Sequence, residues 1–291
     1  MPPTARSLVS TQELAALLDP SSPPADRPVV LDVRWRLAGP PARQDYAQAH
    51  LPGAVFVDLD TELAAPPGPA GRHPLPDPAV LQAALRAAGI NAGDMVVAYD
   101  DRDGSVAARA WWLMRWAGHD RVAVLDGGYA AWIEEGRPVT AAVPAHTPGD
   151  IVVTPGQLPV LDADQAAALA AAGVLLDARA AERYRGDVEP VDPRAGHVPG
   201  ARNAPFAGHL GPDGRWRSPA ELAQRFAALG VAKDTAIGAY CGSGVTASSV
   251  VLAIEVAGLL DQPAALYAGS WSNWSADPAR PVTTGDEPTS G

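Results

Sequence analysis

The feature that most constrains this chain is that it repeats itself. Val30-Leu31-Asp32-Val33-Arg34 returns as Leu175-Leu176-Asp177-Ala178-Arg179, and His50-Leu51-Pro52-Gly53-Ala54 returns as His197-Val198-Pro199-Gly200-Ala201. Asp77-Pro78-Ala79 parallels Ser218-Pro219-Ala220, and Val97-Ala98-Tyr99-Asp100 parallels Gly238-Ala239-Tyr240-Cys241. Gly127 to Trp132 lines up with Gly269 to Trp274. The five pairs keep one order at offsets between 141 and 147 residues. Self-similarity at a nearly fixed spacing marks a duplicated structural unit, and 291 residues suit two domains better than one. The expected organisation is one domain over residues 1–140 and a second over 154–285. An Ala-, Pro- and Gly-rich linker runs near 140–153.

Each half alternates between two kinds of segment. Val29 to Val33, Val96 to Tyr99, Val174 to Asp177 and Ala236 to Tyr240 are short apolar runs, as buried parallel strands are. Between them lie helical stretches with marked starts. Ser218 followed by Pro219 and Glu221 reads as an N-cap, a first-turn proline and a capping box. Asp77-Pro78 opens a helix in the first half. Ser10 with Glu13, and Asp162 with Gln165, mark a leading helix in each half. This is an α/β pattern: two tandem domains, each a mainly parallel sheet with helices on both faces.

The duplication separates scaffold from chemistry, because a residue present in both halves is architectural. By that test His50 and His197, each in a His-x-Pro-Gly-Ala turn, are structural, and so are Asp32 with Asp177 and Trp132 with Trp274. The exception is the end of one strand, where the first half has Asp100 and the second has Cys241, the single cysteine of the chain. One cysteine excludes an internal disulfide and a cysteine-based metal site, and the six histidines show no ligand spacing. The balance of 22 basic against 33 acidic residues, net −11, disfavours nucleic acid and anionic membranes as partners. No stretch reads as a secretory signal or a membrane span, so a cytoplasmic protein is expected.

The cysteine loop carries the chemistry. Cys241-Gly242-Ser243-Gly244-Val245-Thr246-Ala247 follows a strand and leads into a helical run to Gly258. A glycine-rich bend lets successive backbone N–H groups point inward as a nest, and a helix N-terminus adds its positive end. Both favour a thiolate and would cradle the outer sulfur of a persulfide. Three rival motifs fit less well. Gly242 to Ala247 matches a dinucleotide fingerprint, but Leu266-Tyr267-Ala268 offers no acidic residue for a ribose. A cysteine phosphatase needs an arginine where Ala247 stands. A nucleophile elbow fails because Cys241 occupies its first glycine position.

The loop resembles the active-site loop of tandem-domain rhodaneses, especially those that use 3-mercaptopyruvate. Arg183-Tyr184-Arg185-Gly186, Gly196-His197-Val198-Pro199-Gly200-Ala201 and Gly269-Ser270-Trp271-Ser272 resemble the flanking motifs. The resemblance extends from about Leu8 to Val282. It implies a sulfurtransferase without metal or organic cofactor, whose first domain is inactive and whose site lies in the interdomain cleft. Sulfur would pass from 3-mercaptopyruvate or thiosulfate to Cys241, then to cyanide, a low-molecular-weight thiol or a protein thiol such as thioredoxin. A thiosulfate-preferring enzyme and a non-enzymatic persulfide carrier are the alternatives. The resemblance assigns Ser243, His73 and Asp60 to proton handling with Cys241. It assigns donor binding to Arg183 and to the loop residues Gly242, Gly244, Val245 and Thr246. A second donor-binding arginine is expected nine residues after Arg183, where this chain has Asp192; Arg194 is the nearest substitute.

Overall fold

The computed structural model describes residues 6–286. They form two compact units. One comprises residues 6–65, Pro76–Gln157 and Pro212–Trp216, and the other Pro66–Leu75, Leu158–Gly211 and residues 217–286.

The first unit runs β1 (Leu8–Val9), α1 (Thr11–Leu18), β2 (Val29–Asp32), α2 (Arg43–Gln48), β3 (Val55–Phe56), α3 (Pro78–Ala87), β4 (Val96–Tyr99), α4 (Ser105–Trp116), β5 (Val122–Leu125) and α5 (Gly128–Glu134). The second repeats the order with β6 (Val160–Leu161), α6 (Ala163–Ala172), β7 (Val174–Asp177), α7 (Ala181–Arg185), β8 (Arg202–Asn203), α8 (Pro219–Ala228), β9 (Ile237–Tyr240), α9 (Ala247–Ala257), β10 (Ala265–Tyr267) and α10 (Ser270–Trp274). The sheets have orders β1-β5-β4-β2-β3 and β6-β10-β9-β7-β8, and every pairing is parallel. The expected α/β architecture is therefore present twice, with no antiparallel strand in either sheet among the described residues. Within each sheet the chain steps one way from its second strand to its third, and the opposite way to its fourth and fifth. Right-handed crossovers then put α2 on one face and α3 and α4 on the other, and likewise α7 opposite α8 and α9.

Local signals set the helix starts. Ser10, Asp162 and Ser218 each close a capping box with Glu13, Gln165 and Glu221. Asp77 accepts from the Ala79 N–H, with Pro78 at the first helical position. The central strands are buried along their whole length, as a parallel sheet covered on both faces requires.

The duplicated residues do form the scaffold. Asp32 and Asp177, fully buried, hold the forks of Arg34 and Arg179, with Nη2–Oδ2 distances of 2.7 and 2.6 Å. His50 and His197 donate from Nδ1 to the carbonyls of Tyr46 and Tyr184 at 2.7 and 2.8 Å and stack on those tyrosine rings. Burial lowers the pKa of His197, so it stays neutral in this structural tie. Trp132 and Trp274 are buried and donate to the Pro138 and Pro281 carbonyls.

The topology also fixes where chemistry can sit. The direction of winding reverses between β9 and β7, and ligands of open α/β sheets bind beyond the carboxyl ends of strands at such a switch point. The residues that leave those two strands there are Cys241 and the Ala178-Arg179 pair.

Candidate active site

Cys241 is the residue immediately after β9. Its backbone is fixed on both sides: its N–H donates to Ser270 Oγ at 3.1 Å, and its carbonyl accepts from the Trp271 N–H at 2.9 Å. Ser270 is the one non-glycine residue with positive φ, +53°, among the described residues. Its hydroxyl also donates to the Tyr267 carbonyl at 2.9 Å, so a strained residue is spent on aligning the cysteine loop. The Gly242 carbonyl accepts from the Ser272 N–H at 2.8 Å.

The loop then bends so that the Gly244 N–H points back at Cys241 Sγ, 3.1 Å away. Only glycine fits there. Gly244 has φ +84°, and a Cβ would lie 2.3 Å from the Ala268 carbonyl oxygen. Val245 is buried, Thr246 takes helical geometry, and α9 begins at Ala247. The sulfur thus lies at a helix start and accepts one backbone N–H, that of Gly244, where the loop composition predicts several.

The first unit shows what such a bend accepts. At the position equivalent to Cys241, the Asp100 carboxylate receives N–H groups from Gly104 (3.0 Å) and Arg102 (3.2 Å) on Oδ1, and from Val106 (2.9 Å) and Ala107 (3.1 Å) on Oδ2. The bend in the first unit thus turns four backbone donors onto one carboxylate. Burial, and then the nearby Asp103 charge, push the Asp100 pKa up to about 7 against the N–H groups of Ala107, Gly104 and Val106.

Beside the loop lies a segment that is distant in sequence. Residues 66–75 belong to the same compact unit as Cys241 although they fall within the first repeat. Gly71 packs where a Cβ would lie 2.7 Å from the Gly269 carbonyl oxygen; the Arg72 N–H donates to Ser272 Oγ (3.0 Å), and Asn273 Nδ2 donates to the Pro69 carbonyl (2.7 Å). This docking delivers His73. Its Nδ1 shares a hydrogen bond of 2.7 Å with Ser243 Oγ, and both side chains are buried.

Arg183 lies on α7, with Nη2 donating to Glu189 Oε1 (2.6 Å) and Asp192 Oδ2 (3.2 Å). Its Nη1 lies 3.6 Å from where a Cβ on Gly242 would sit, so the guanidinium borders the loop. The structure therefore brings Cys241, Gly242, Ser243, Gly244, Val245, Thr246, His73 and Arg183 to one place in the second unit. Asp60 lies in the first unit, exposed, where it accepts from Trp35 Nε1 at 3.0 Å. Arg194 is not at the site: its guanidinium donates to the carbonyls of Ser275, Arg280, Trp274 and Asp277 and serves as a loop clamp.

Sequence reasoning missed Arg72, which neighbours Gly242 and pairs with Asp192. The available signal was the departure at Asp192: a buried carboxylate in place of an arginine needs a cation from elsewhere.

The Rhodanese-like domain family matches residues 10–135 and 162–277, one stretch in each sequence repeat. A Pseudomonas aeruginosa protein with the provisional name 3-mercaptopyruvate sulfurtransferase is 48% identical, covering 96% of this chain and 98% of its own. A Mycobacterium tuberculosis protein provisionally named thiosulfate sulfurtransferase SseB is 44% identical, covering 96% and 97%. Among solved structures, SseA from Escherichia coli, described as a 3-mercaptopyruvate sulfotransferase of rhodanese fold, superposes with a TM-score of 0.79 at 29% identity, over 92% of this chain and 100% of that one.

Proposed function

We propose that this chain, which belongs to the rhodanese family, is a sulfurtransferase that takes its sulfur from 3-mercaptopyruvate and carries it as a persulfide on Cys241. The observation that carries the reading is the Gly244 N–H facing Cys241 Sγ at a helix start, with the Ser243–His73 pair in the same loop.

In the first half-reaction the Cys241 thiolate attacks the donor sulfur. An S–S bond forms and the donor C–S bond breaks, with its electron pair left on carbon as the enolate of pyruvate. The proton of the donor thiol ends on that carbon, so the products are the Cys241 persulfide anion and pyruvate. Ser243 is the group beside the thiolate that can pass this proton, with His73 accepting and returning it through the 2.7 Å hydrogen bond. Asp60 keeps, as a proposal, the part in this relay that the family resemblance gives it. In the second half-reaction an acceptor thiolate, or cyanide, attacks the outer sulfur and restores the Cys241 thiolate.

The charges near Gly242 favour the single negative charge of the mercaptopyruvate carboxylate over the two of thiosulfate. Arg72 and Arg183 are matched by Asp192 and Glu189, and the loop from Gly242 to Ala247 adds no basic residue. A thiol acceptor such as thioredoxin or a small thiol, and a cytoplasmic location, fit a chemistry that needs a reduced cysteine. Among the described residues no helix is long and apolar enough to cross a membrane.

The test is direct. Incubation with 3-mercaptopyruvate should add about 32 Da to the intact protein, one sulfur on the only thiol. Cys241→Ser should lose both adduct and turnover; a Cys241→Ser chain that still turns over donor refutes the proposal.

A further inference from the structure

The two repeats also differ along α8. Aligned on Ser218 and Asp77, Arg217 and Arg225 of the second repeat correspond to Pro76 and Ala84 of the first. By the comparison that singled out Cys241, residues confined to one repeat are candidates for function. Both arginines line one cavity of about 560 Å³ in the second unit, between the stretch that follows β8 and helix α8. Its lining shares no residue with the reactive loop, His73 or Arg183. Two guanidiniums in one cavity run against a chain whose net charge is −11.

Arg225 is a cation without a counter-charge. Its Nη2 donates to the Pro205 carbonyl at 3.1 Å, and among the described residues no carboxylate pairs with it. Its Nε is buried and makes no hydrogen bond among those residues. Burial, and then the Arg217 charge, lower its pKa. A half-buried cation beside a like charge is costly until an anion joins it. Gly208 makes the place for this guanidinium, since a Cβ there would lie 2.4 Å from Arg225 Cζ. Arg217 donates from Nε to the Gly208 carbonyl at 3.1 Å. It is offset in part by Glu221, 3.6 Å away, whose carboxylate also closes the α8 cap. With two arginines and one carboxylate, the cavity is short of one negative charge. Pro205, Ala228 and Leu229 give it an apolar wall.

We propose that this cavity binds a small organic monoanion, its carboxylate head held by Arg225 and Arg217 and its apolar body against Pro205, Ala228 and Leu229. The planar fork of a guanidinium matches the two oxygens of a carboxylate. A volume of about 560 Å³ takes a body of several carbons, whereas a bare inorganic ion would leave most of it to water. The site is separate from the sulfur chemistry and does not depend on which donor loads Cys241.

The experiment titrates benzoate, a carboxylate on an apolar ring, into the full-length protein and three variants by calorimetry at fixed ionic strength, with chloride as the control anion. Arg225→Gln and Arg217→Gln should each lose about 10- to 100-fold in affinity, as expected for a charged hydrogen bond. Gly208→Ala keeps every charge but pushes the Arg225 guanidinium from its place, and it should lose about as much. The Gly208 backbone lies outside the left-handed region, so alanine is accepted there and only the flexible end of Arg225 has to move. Each variant should still unfold cooperatively, and each should still form the Cys241 persulfide. A wild-type protein that binds benzoate no more tightly than chloride overturns the proposal. So do Gly208→Ala and Arg217→Gln proteins that bind benzoate as wild type does, because the anion then sits elsewhere. Inorganic phosphate that binds more tightly than benzoate, and is lost in the same variants, overturns the carboxylate head.

Discussion

Replacing Ser243 by alanine should separate the two sulfur donors. The hydroxyl is buried and sits 2.7 Å from His73 Nδ1, in the residue pair next to Cys241. With 3-mercaptopyruvate the leaving group is an enolate that needs a proton, and a positioned acid contributes about 10²–10⁴-fold to such a step. At about 1.36 kcal/mol per decade, Ser243→Ala should raise that barrier by about 3–5 kcal/mol. Thiosulfate leaves as sulfite, a stable anion that needs no proton, so its turnover should fall little. His73→Ala should show the same selectivity. Because the two residues share one hydrogen bond, the double variant should be about as impaired as either single one, whereas independent contributions would multiply to about 10⁴-fold or more. Losing a hydrogen bond from a buried pair also costs about 1–3 kcal/mol of stability, so thermal midpoints must be read beside the rates. The assay is steady-state kinetics of the three variants with each donor. Equal loss for both donors, no loss for 3-mercaptopyruvate, or multiplicative singles would remove the pair from the mechanism.

Two further outcomes follow from the twin loops. Gly244→Ala puts a side chain at φ +84° and 2.3 Å from the Ala268 carbonyl, and it displaces the N–H that faces Cys241 Sγ; intact-mass measurement should show little persulfide, and a normal adduct would refute the nest as the sulfur's cradle. In the first unit, burial raises the Asp100 pKa to about 7, so the folded chain keeps a proton that the unfolded chain loses near its usual 3.8. That contribution is fully present below about pH 4 and is lost as pH rises to about 7. Denaturant midpoints of Asp100→Asn, relative to wild type, should therefore improve steadily across that range; a constant difference would refute it.

Much of this protein was legible from its residues because its signals are local or duplicated. Capping boxes at Ser10, Asp162 and Ser218 act within one turn, so they need no partner from afar. Short valine-rich runs report burial through composition alone. Comparing the two halves identified Asp177 and His197 as framework and left Cys241 as the exception. Its glycine-rich loop bends through its own backbone, so the bend that turns the Gly244 N–H onto the sulfur was readable too.

What only the tertiary structure decided is which distant side chains meet that loop. Residues 66–75 carry no strand or helix of four residues or more, and nothing in their sequence says that they pack with residues 269–273 of the second repeat. The resemblance could nominate His73, but the 2.7 Å contact with Ser243 depends on that docking. Arg72 and Arg194 show the limit most clearly. By sequence proximity Arg194 was the candidate for the missing donor-binding arginine, yet its guanidinium is consumed by four backbone carbonyls. Arg72, 120 residues from Asp192, is the cation that reaches it. A charged side chain on a long flexible stem finds its partner through the fold, and spacing along the chain records only the contacts that neighbours in sequence can make.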